Sequence, residues 1–174
     1  GAEVIKVGSD RRPDPAAHAA AYQFYNQSKL HCALNLSKPE GLDLARRLVA
    51  ISDVLIENFA TGVIDRLGLG YEDVREVKPD IVMISSSGLG HTGPHKDHVA
   101  YGSLLQHYTG WGSISGYPDG EPARGGTWCD PWAGMELAMI TVAALYRRGV
   151  TGLGEYIDYS MAEGLVRGMP KALL

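Results

Sequence analysis

At 174 residues, 45% of them apolar, the chain is long enough to bury a substantial core, and we expect one domain over residues 1–174. A net charge of −4 and a sequence pI of about 5.8 argue against a partner such as nucleic acid or an anionic membrane surface. Two cysteines, Cys32 and Cys129, are too few for a disulfide framework or a thiolate zinc site, so we predict two free thiols.

The N-terminal residues open directly on a strand-like run at Val4–Val7. No charged and apolar leader precedes this run, so we expect no signal or transit peptide and a cytoplasmic protein. Because a complete domain rarely begins within a few residues of a strand, we expect an upstream part of the fold to be missing. The most apolar run, Leu137–Tyr146, is too short to span a bilayer and is predicted to be a core helix.

Strand-like and helix-like patterns alternate along the chain. Strands are predicted at Val4–Val7, Ala33–Leu36, Val54–Ile56, Ile81–Ser85 and Glu155–Ser160. Helices are predicted at Pro39–Ile51, Val63–Leu67, Tyr71–Val77, Tyr101–Tyr108, Asp130–Arg148 and Met161–Leu173, the first of them opened by a capping box from Ser37 to Glu40. Continuous apolar strands between helices are typical of a mostly parallel sheet with helices on both faces, so the predicted fold class is α/β, Rossmann-like.

The loops that follow the carboxyl ends of the strands are the expected binding surface of such a sheet. They begin at Gly8, Ser37, Asn58 and Ser86.

The longest predicted helix begins at Asp130, which is followed directly by Pro131. Asp before Pro indicates a helix start, because Asp can cap the free N–H groups of the first turn and Pro has no N–H to leave unpaired. A carboxylate at the positive end of a helix is favoured in its ionised form, as a nucleophile requires. Asp130 is thus either only an N-cap or also a catalytic group, and capping aspartates are the commoner of the two.

The segment Gly88–Gly93 reads G-x-G-x-x-G after a strand, which is the spacing of a dinucleotide-binding turn. Pro94 and a polar run follow where that motif requires a helix, so dinucleotide binding is disfavoured. His91, His95 and His98 also suggest a metal site, but Pro94 would break the helix needed to align them and no thiolate is near. Solvated loop histidines are the preferred interpretation.

Several segments match a single enzyme family in order and spacing, and together they cover nearly the full chain. They are GAEVIKV at 1–7, NQSK at 26–29, ALNL at 33–36, KPEG at 38–41, DVLIENF at 53–59, GVIDRLGLGY at 62–71, SGLGHTGP at 87–94, DPWAG at 130–134, AALYR at 143–147 and TGLGEYIDYSM at 151–161. With these segments the chain resembles the family III CoA-transferases, a group that includes formyl-CoA transferase and carnitine CoA-transferase.

The resemblance implies a catalytic role for Asp130, which stands at the family's aspartate in a D-x-x-x-G segment. In that family the carboxylate attacks an acyl-CoA, forms a mixed anhydride and then an aspartyl-CoA thioester, and passes CoA to a free carboxylic acid. Coenzyme A is then a substrate, and no metal or redox cofactor is expected. Gly125 and Gly126 are expected to supply N–H groups to the oxyanions.

The resemblance also implies a set of CoA contacts. These are Leu34 and Leu36 at the adenine, Asn58, Phe59 and Ala60 at the nucleotide end, Arg66 at a phosphate and Tyr101 near the thioester. Phe59 is alternatively a core residue, and Arg66 a solvated helix residue. Gly8 and Ser37 depart from the Glu and Lys found in relatives.

Family members are more than twice as long and form interlocked dimers, so the resemblance implies a partial subunit, truncated at both ends, that associates as a homodimer or with another chain. Two other functions stay open at this point. One is an acyl-CoA racemase of the same superfamily, which has a Gly-His-Asp ahead of the tyrosine segment; the corresponding run here is Lys96–Tyr101, with the histidine displaced by one residue. The other is a non-catalytic module that binds CoA or only associates with a partner.

Overall fold

The computed structural model describes residues 1–9, 11, 20–122, 126, 128–169 and 171. The elements in chain order are β1 (Ile5–Gly8), α1 (Ala20–Tyr25), β2 (Leu30–Ala33), α2 (Pro39–Ala50), β3 (Val54–Glu57), α3 (Val63–Arg66), α4 (Tyr71–Val77), β4 (Val82–Ser87), α5 (Gly102–Tyr108), a 3-10 turn (Trp111–Ile114), α6 (Cys129–Thr151), β5 (Glu155–Ser160) and α7 (Met161–Arg167).

Two compact units make up the chain, residues 1–51 and residues 52–174. In the first unit β1 and β2 pair in parallel, with Ile5 opposite Leu30. In the second unit β3, β4 and β5 form a parallel sheet in that order, with β4 in the centre. Parallel sheets joined through helices confirm the predicted α/β fold.

The core of the second unit lies around β4, which is buried along its whole length. On one side β4 packs against α6, where Val82 and Ile84 meet Ala133 and Ala144. A second cluster joins α5, α6 and α7 through Leu105, Cys129, Ala162 and Leu165. The long helix α6 therefore belongs to both clusters, and its N-terminal end is part of the second.

The predicted position of the second strand is wrong, because β2 covers Leu30–Ala33 instead of Ala33–Leu36. Pairing with β1 sets this register: the Leu30 N–H donates to the Val4 carbonyl at 2.9 Å, and the Leu34 N–H donates to the Gly8 carbonyl at 2.9 Å. The partner strand, which a local pattern does not show, decides which of the adjoining apolar residues are extended.

Helix α2 begins at Pro39 as predicted, but its predicted capping box is wrong, and the predicted end of α6 is wrong as well. The N-cap of α2 is Lys38 with no side-chain cap, because the Ser37 hydroxyl donates to Asn35 Oδ1 at 2.6 Å instead of accepting from the helix. Helix α6 continues through Gly149 to Thr151, and Gly152 ends it at a φ of +73°, where its N–H bonds to the Arg148 carbonyl. A left-handed C-cap favours glycine, so Gly152 is the stop signal and the helix extends beyond its predicted end at Arg148.

Cys32 and Cys129 are both free, as predicted. Among the helices of the described residues, none is both long and apolar enough to cross a membrane.

Candidate active site

Asp130 lies in the first turn of α6 but does not cap it, so the predicted capping role is wrong. The helix begins one residue earlier, at Cys129, and its N-cap is Trp128, whose side chain makes no cap hydrogen bond. The Cys129 N–H donates instead to Oε1 of Gln106 at 3.2 Å. The Trp128 N–H is shared between the same oxygen, at 2.5 Å, and the Gly126 carbonyl, at 2.8 Å. A glutamine from a different helix therefore performs the capping, which leaves the Asp130 carboxylate available for other contacts.

Gln106 is suited to this role because it is only 6% exposed and sits on α5 beside Leu105, which packs against Cys129. A buried acceptor that takes a buried N–H from Cys129 and a partly buried one from Trp128 fixes the start of α6 relative to α5. No local pattern near Asp130 points to a residue so far away in sequence, and the sequence analysis therefore missed it.

The Asp130 carboxyl group lies directly against the backbone of Gly102, the first residue of α5. A Cβ atom at position 102 would lie 2.9 Å from Asp130 Cγ and 3.1 Å from Oδ2, closer than side-chain atoms normally approach. Gly102 is buried, whereas the preceding Tyr101 is 72% exposed. The Asp130 carboxyl group thus lies against the residue that directly follows Tyr101, another of the predicted site residues.

The pKa of Asp130 is raised above its ordinary value, and partial burial of the carboxyl group is the cause. A position at a helix start would by itself favour the ionised carboxylate and lower its pKa. The loss of hydration therefore outweighs the effect of the helix dipole here. Burial, and then the charge of Asp130, raises the pKa of the adjacent Cys129 thiol to about 11. Cys129 is fully buried and stays protonated near neutral pH, so Asp130 is the nucleophile candidate at this helix end.

A network of polar contacts around the buried Glu136 anchors the next turns of α6. Glu136 is 6% exposed, and its Oε2 accepts from the Tyr159 hydroxyl at 2.6 Å while its Oε1 accepts from Arg167 Nε at 3.1 Å. Burial and the bond to Glu136 raise the pKa of Tyr159 far above its usual range. The Trp132 indole N–H also donates to the Gly164 carbonyl at 3.1 Å. Helix α6 is therefore fastened to β5 and α7 within two turns of Asp130.

The loop after β3 carries three of the predicted CoA contacts, Asn58, Phe59 and Ala60, and it is held by specific bonds. The Phe59 N–H donates to Glu57 Oε2 at 2.7 Å, and Asn58 Nδ2 donates to the Ser86 carbonyl at 2.7 Å. The Phe59 side chain is 40% exposed, so it is not a core residue. Side chains at the carboxyl end of a parallel strand are therefore presented to solvent, where a ligand can reach them.

The remaining predicted site residues lie in different places. Arg66 is exposed at the end of α3, with Nη1 3.2 Å from the position that a Gly62 Cβ would occupy. Leu34 and Leu36 belong to the first unit, immediately after β2, and are half-buried. Gly125 lies outside the described residues, and Gly126 is exposed.

No helix opens after the segment Gly88–Gly93, which confirms that the dinucleotide motif lacks its required context. The rings of His95 and His98 lie 5.0 Å apart in an exposed loop, whereas His91 is directed towards Glu57. Within the part of the chain that the structure describes, no group of three or more His, Cys, Asp or Glu residues is placed to hold a metal ion.

Comparison with known proteins connects this geometry to one family. The family model described as CoA-transferase family III matches residues 1–174. An acetyl-CoA:oxalate CoA-transferase of Acetobacter aceti is 36% identical over 100% of this chain and 47% of its own length. Succinyl-CoA:glutarate CoA-transferase of Homo sapiens is 33% identical over 95% of this chain and 40% of its own length.

A solved structure, a CAIB/BAIF family protein from Brucella suis, superposes with a TM-score of 0.92 at 32% identity, over 98% of this chain and 49% of that one. The chain thus spans about half the length of the relatives it matches.

We predict that Gln106→Met weakens the start of α6. The substitution keeps a similar volume but removes the acceptor, so the buried Cys129 N–H loses its partner while the Trp128 N–H keeps the Gly126 carbonyl. The free energy of unfolding should fall by about 1–3 kcal/mol. Urea denaturation measures the change. Leu104→Met, on the exposed side of the same helix, is the matched control and should change it little. Equal stability of the two variants would show that Gln106 is not the cap.

Proposed function

The chain belongs to CoA-transferase family III, and from this membership and the geometry around Asp130 we propose that the protein transfers coenzyme A between an acyl-CoA and a free carboxylic acid. The observation that carries the proposal is the position of the Asp130 carboxyl group, at the start of α6 and against Gly102, the residue that follows the exposed Tyr101. The relatives are named for an acyl-CoA donor and an acid acceptor, and we extend that substrate class to this protein.

Asp130 takes part in a sequence of four substitution steps, each at a carbonyl carbon. Its carboxylate attacks the donor thioester, the C–S bond breaks, and CoA leaves as a thiolate while a mixed anhydride forms. The thiolate attacks the aspartyl carbonyl, which releases the donor acid and leaves an aspartyl-CoA thioester. The acceptor carboxylate attacks that thioester, and the freed thiolate then attacks the acceptor carbonyl. Asp130 is regenerated, and no oxidation or external proton donor is needed.

The electrostatics at the helix start support this role. Partial burial raises the pKa of Asp130, and a less hydrated carboxylate has less solvent to shed before it attacks. Gln106 accepts from the Cys129 N–H and, together with the Gly126 carbonyl, from the Trp128 N–H, so these groups do not draw the Asp130 oxygens into a cap. Protonation of the buried Cys129 prevents a competing thiolate from attacking the same acyl group.

Coenzyme A is proposed to bind through the residues that match the family. Arg66 offers an exposed guanidinium that can form paired hydrogen bonds with a phosphate. Asn58, Phe59 and Ala60 present an amide, a ring and backbone groups beyond the end of β3. Leu34 and Leu36 are proposed for the adenine and Tyr101 for the thioester end.

Association with a second chain, as a homodimer or with a different partner, is part of the proposal. Helix α6 exposes apolar side chains at intervals of three and four residues, namely Met135, Met139, Val142, Tyr146 and Val150. An apolar stripe of this kind is typical of a helix that packs against another element.

We predict that hydroxylamine traps the acylated enzyme at Asp130. With acyl-CoA present, hydroxylamine should convert the activated Asp130 carboxyl group to a hydroxamate, which peptide mass spectrometry locates. Asp130→Asn should give no hydroxamate, and Asp97→Asn, at an exposed loop acid, should leave trapping intact.

A CoA-binding wild-type protein without hydroxamate at Asp130 would contradict the proposal. Loss of α-deuterium from a 2-methylacyl-CoA would then indicate the racemase. Absence of both activities would indicate the non-catalytic module.

We predict that the rise of kcat/KM with pH on the acidic side reflects the ionisation of Asp130. Only the ionised carboxylate attacks, and its raised pKa means that kcat/KM should rise with pH through a midpoint above the ordinary aspartate value of about 3.9. Because the pKa of Asp130 is raised, the folded state favours the protonated carboxyl group. The stability that this protonation contributes is lost as pH rises through the pKa of Asp130 in the folded state. Asp130→Asn should accordingly be at least as stable as wild type near pH 7, by urea denaturation. A midpoint of the kcat/KM profile at or below about pH 3.9 would contradict the assignment of this ionisation to Asp130.

A further inference from the structure

A buried acid and histidine face each other between the loops that follow β3 and β4. The side chains of Glu57 and His91 are 4% and 10% exposed, and Glu57 Oε1 lies 3.8 Å from His91 Nε2. Neither of these two atoms has a hydrogen-bond partner among the described residues. Buried polar atoms are nearly always paired, so two that face each other at this distance require an explanation.

The other oxygen of Glu57 connects this pair to the proposed CoA segment. Glu57 Oε2 accepts from the Phe59 N–H at 2.7 Å, and this bond sets the backbone where the chain turns out of β3. Asn58 is held separately by the Ser86 carbonyl, and Thr61 by the Lys96 carbonyl at 2.8 Å. The orientation of the Glu57 carboxylate therefore determines how Phe59 is presented.

His91 is itself held in place by β5. Its backbone N–H donates to both carboxylate oxygens of Asp158, at 2.9 and 3.0 Å. The preceding Gly90 has a φ of +80°, and a Cβ there would lie 3.4 Å from the Ser160 Cβ, so the turn lies close against the strand. The imidazole is thus carried by a loop fixed at its backbone, with its Nε2 aimed at Glu57.

We propose that His91 is a positioning residue for coenzyme A binding. Its Nε2–H donates to Glu57 Oε1, which orients the carboxylate so that Oε2 holds the Phe59 N–H and the segment Asn58–Ala60 in the conformation that receives the nucleotide. A shift of less than 1 Å brings the 3.8 Å separation into hydrogen-bond range. This inference rests on the proposed function, because it assigns a supporting residue to the same CoA site.

The test compares three variants of the protein by hydrogen exchange at the Phe59 amide and by CoA titration in a calorimeter. His91→Leu removes the donor, so the Phe59 amide should exchange faster and the Kd for CoA should rise about tenfold, the equivalent of about 1.4 kcal/mol. In turnover, KM for acyl-CoA should rise while kcat changes less than about twofold, since Asp130 is not involved. His91→Gln, whose amide reaches Glu57, should restore both, and His95→Leu, exposed in the same loop, should match wild type.

A folded His91→Leu with unchanged CoA affinity and unchanged Phe59 exchange would overturn the inference, and so would a fall in kcat at constant KM. If His91→Leu does not fold, His91→Asn, whose shorter amide cannot reach Glu57, replaces it with the same expectations. If wild type binds no CoA, the proposed function fails. Phe59 exchange then decides alone whether His91 positions the segment: faster exchange in the variant supports it, and equal exchange refutes it.

Discussion

One buried oxygen atom, Gln106 Oε1, determines where the longest helix begins. It accepts the Cys129 N–H, shares the Trp128 N–H with the Gly126 carbonyl, and joins α5 to α6 at the point where both carry site residues. Because a side chain of α5 satisfies this helix end, the first acid of α6 has no capping role and its carboxyl group turns towards Gly102. The position of Asp130 therefore depends on a contact between helices and not on its own local sequence.

Two further constraints keep that position. The buried Glu136, paired with Tyr159 and Arg167, fastens α6 to β5 and α7, so the helix cannot slide without leaving a buried charge unpaired. Gly102 has no side chain and so lets the carboxyl group lie against the backbone of α5. Partial burial raises the pKa of Asp130. A fixed, partly dehydrated carboxylate is what acyl transfer through an anhydride requires, since the same group must attack and leave repeatedly.

The features of the fold that depend on local sequence patterns were predicted from the sequence. Alternating apolar runs and helical periods indicated the parallel α/β fold, and the Asp130-Pro131 pair placed the start of α6 within one residue. Contacts between distant segments were not predictable: pairing with β1 shifted β2 from Ala33–Leu36 to Leu30–Ala33, and Gln106 replaced Asp130 as the cap. The residues proposed for CoA came from resemblance to a family, because an exposed Arg66 or Phe59 has no distinctive local signal.

The central claim, that Asp130 forms a covalent link to both acyl groups, is tested most directly by following oxygen. In a single turnover with an acceptor acid carrying ¹⁸O in both carboxylate oxygens, the anhydride route leaves one acceptor oxygen on Asp130, because the last thiolate attack cleaves the bond between the acyl carbon and the bridging oxygen. The peptide that contains Asp130 should therefore gain about 2 Da, located at that residue by fragmentation, and a parallel reaction in H₂¹⁸O with unlabelled acid should leave it unchanged. Transfer of CoA to the acceptor without label on Asp130 would contradict the claim.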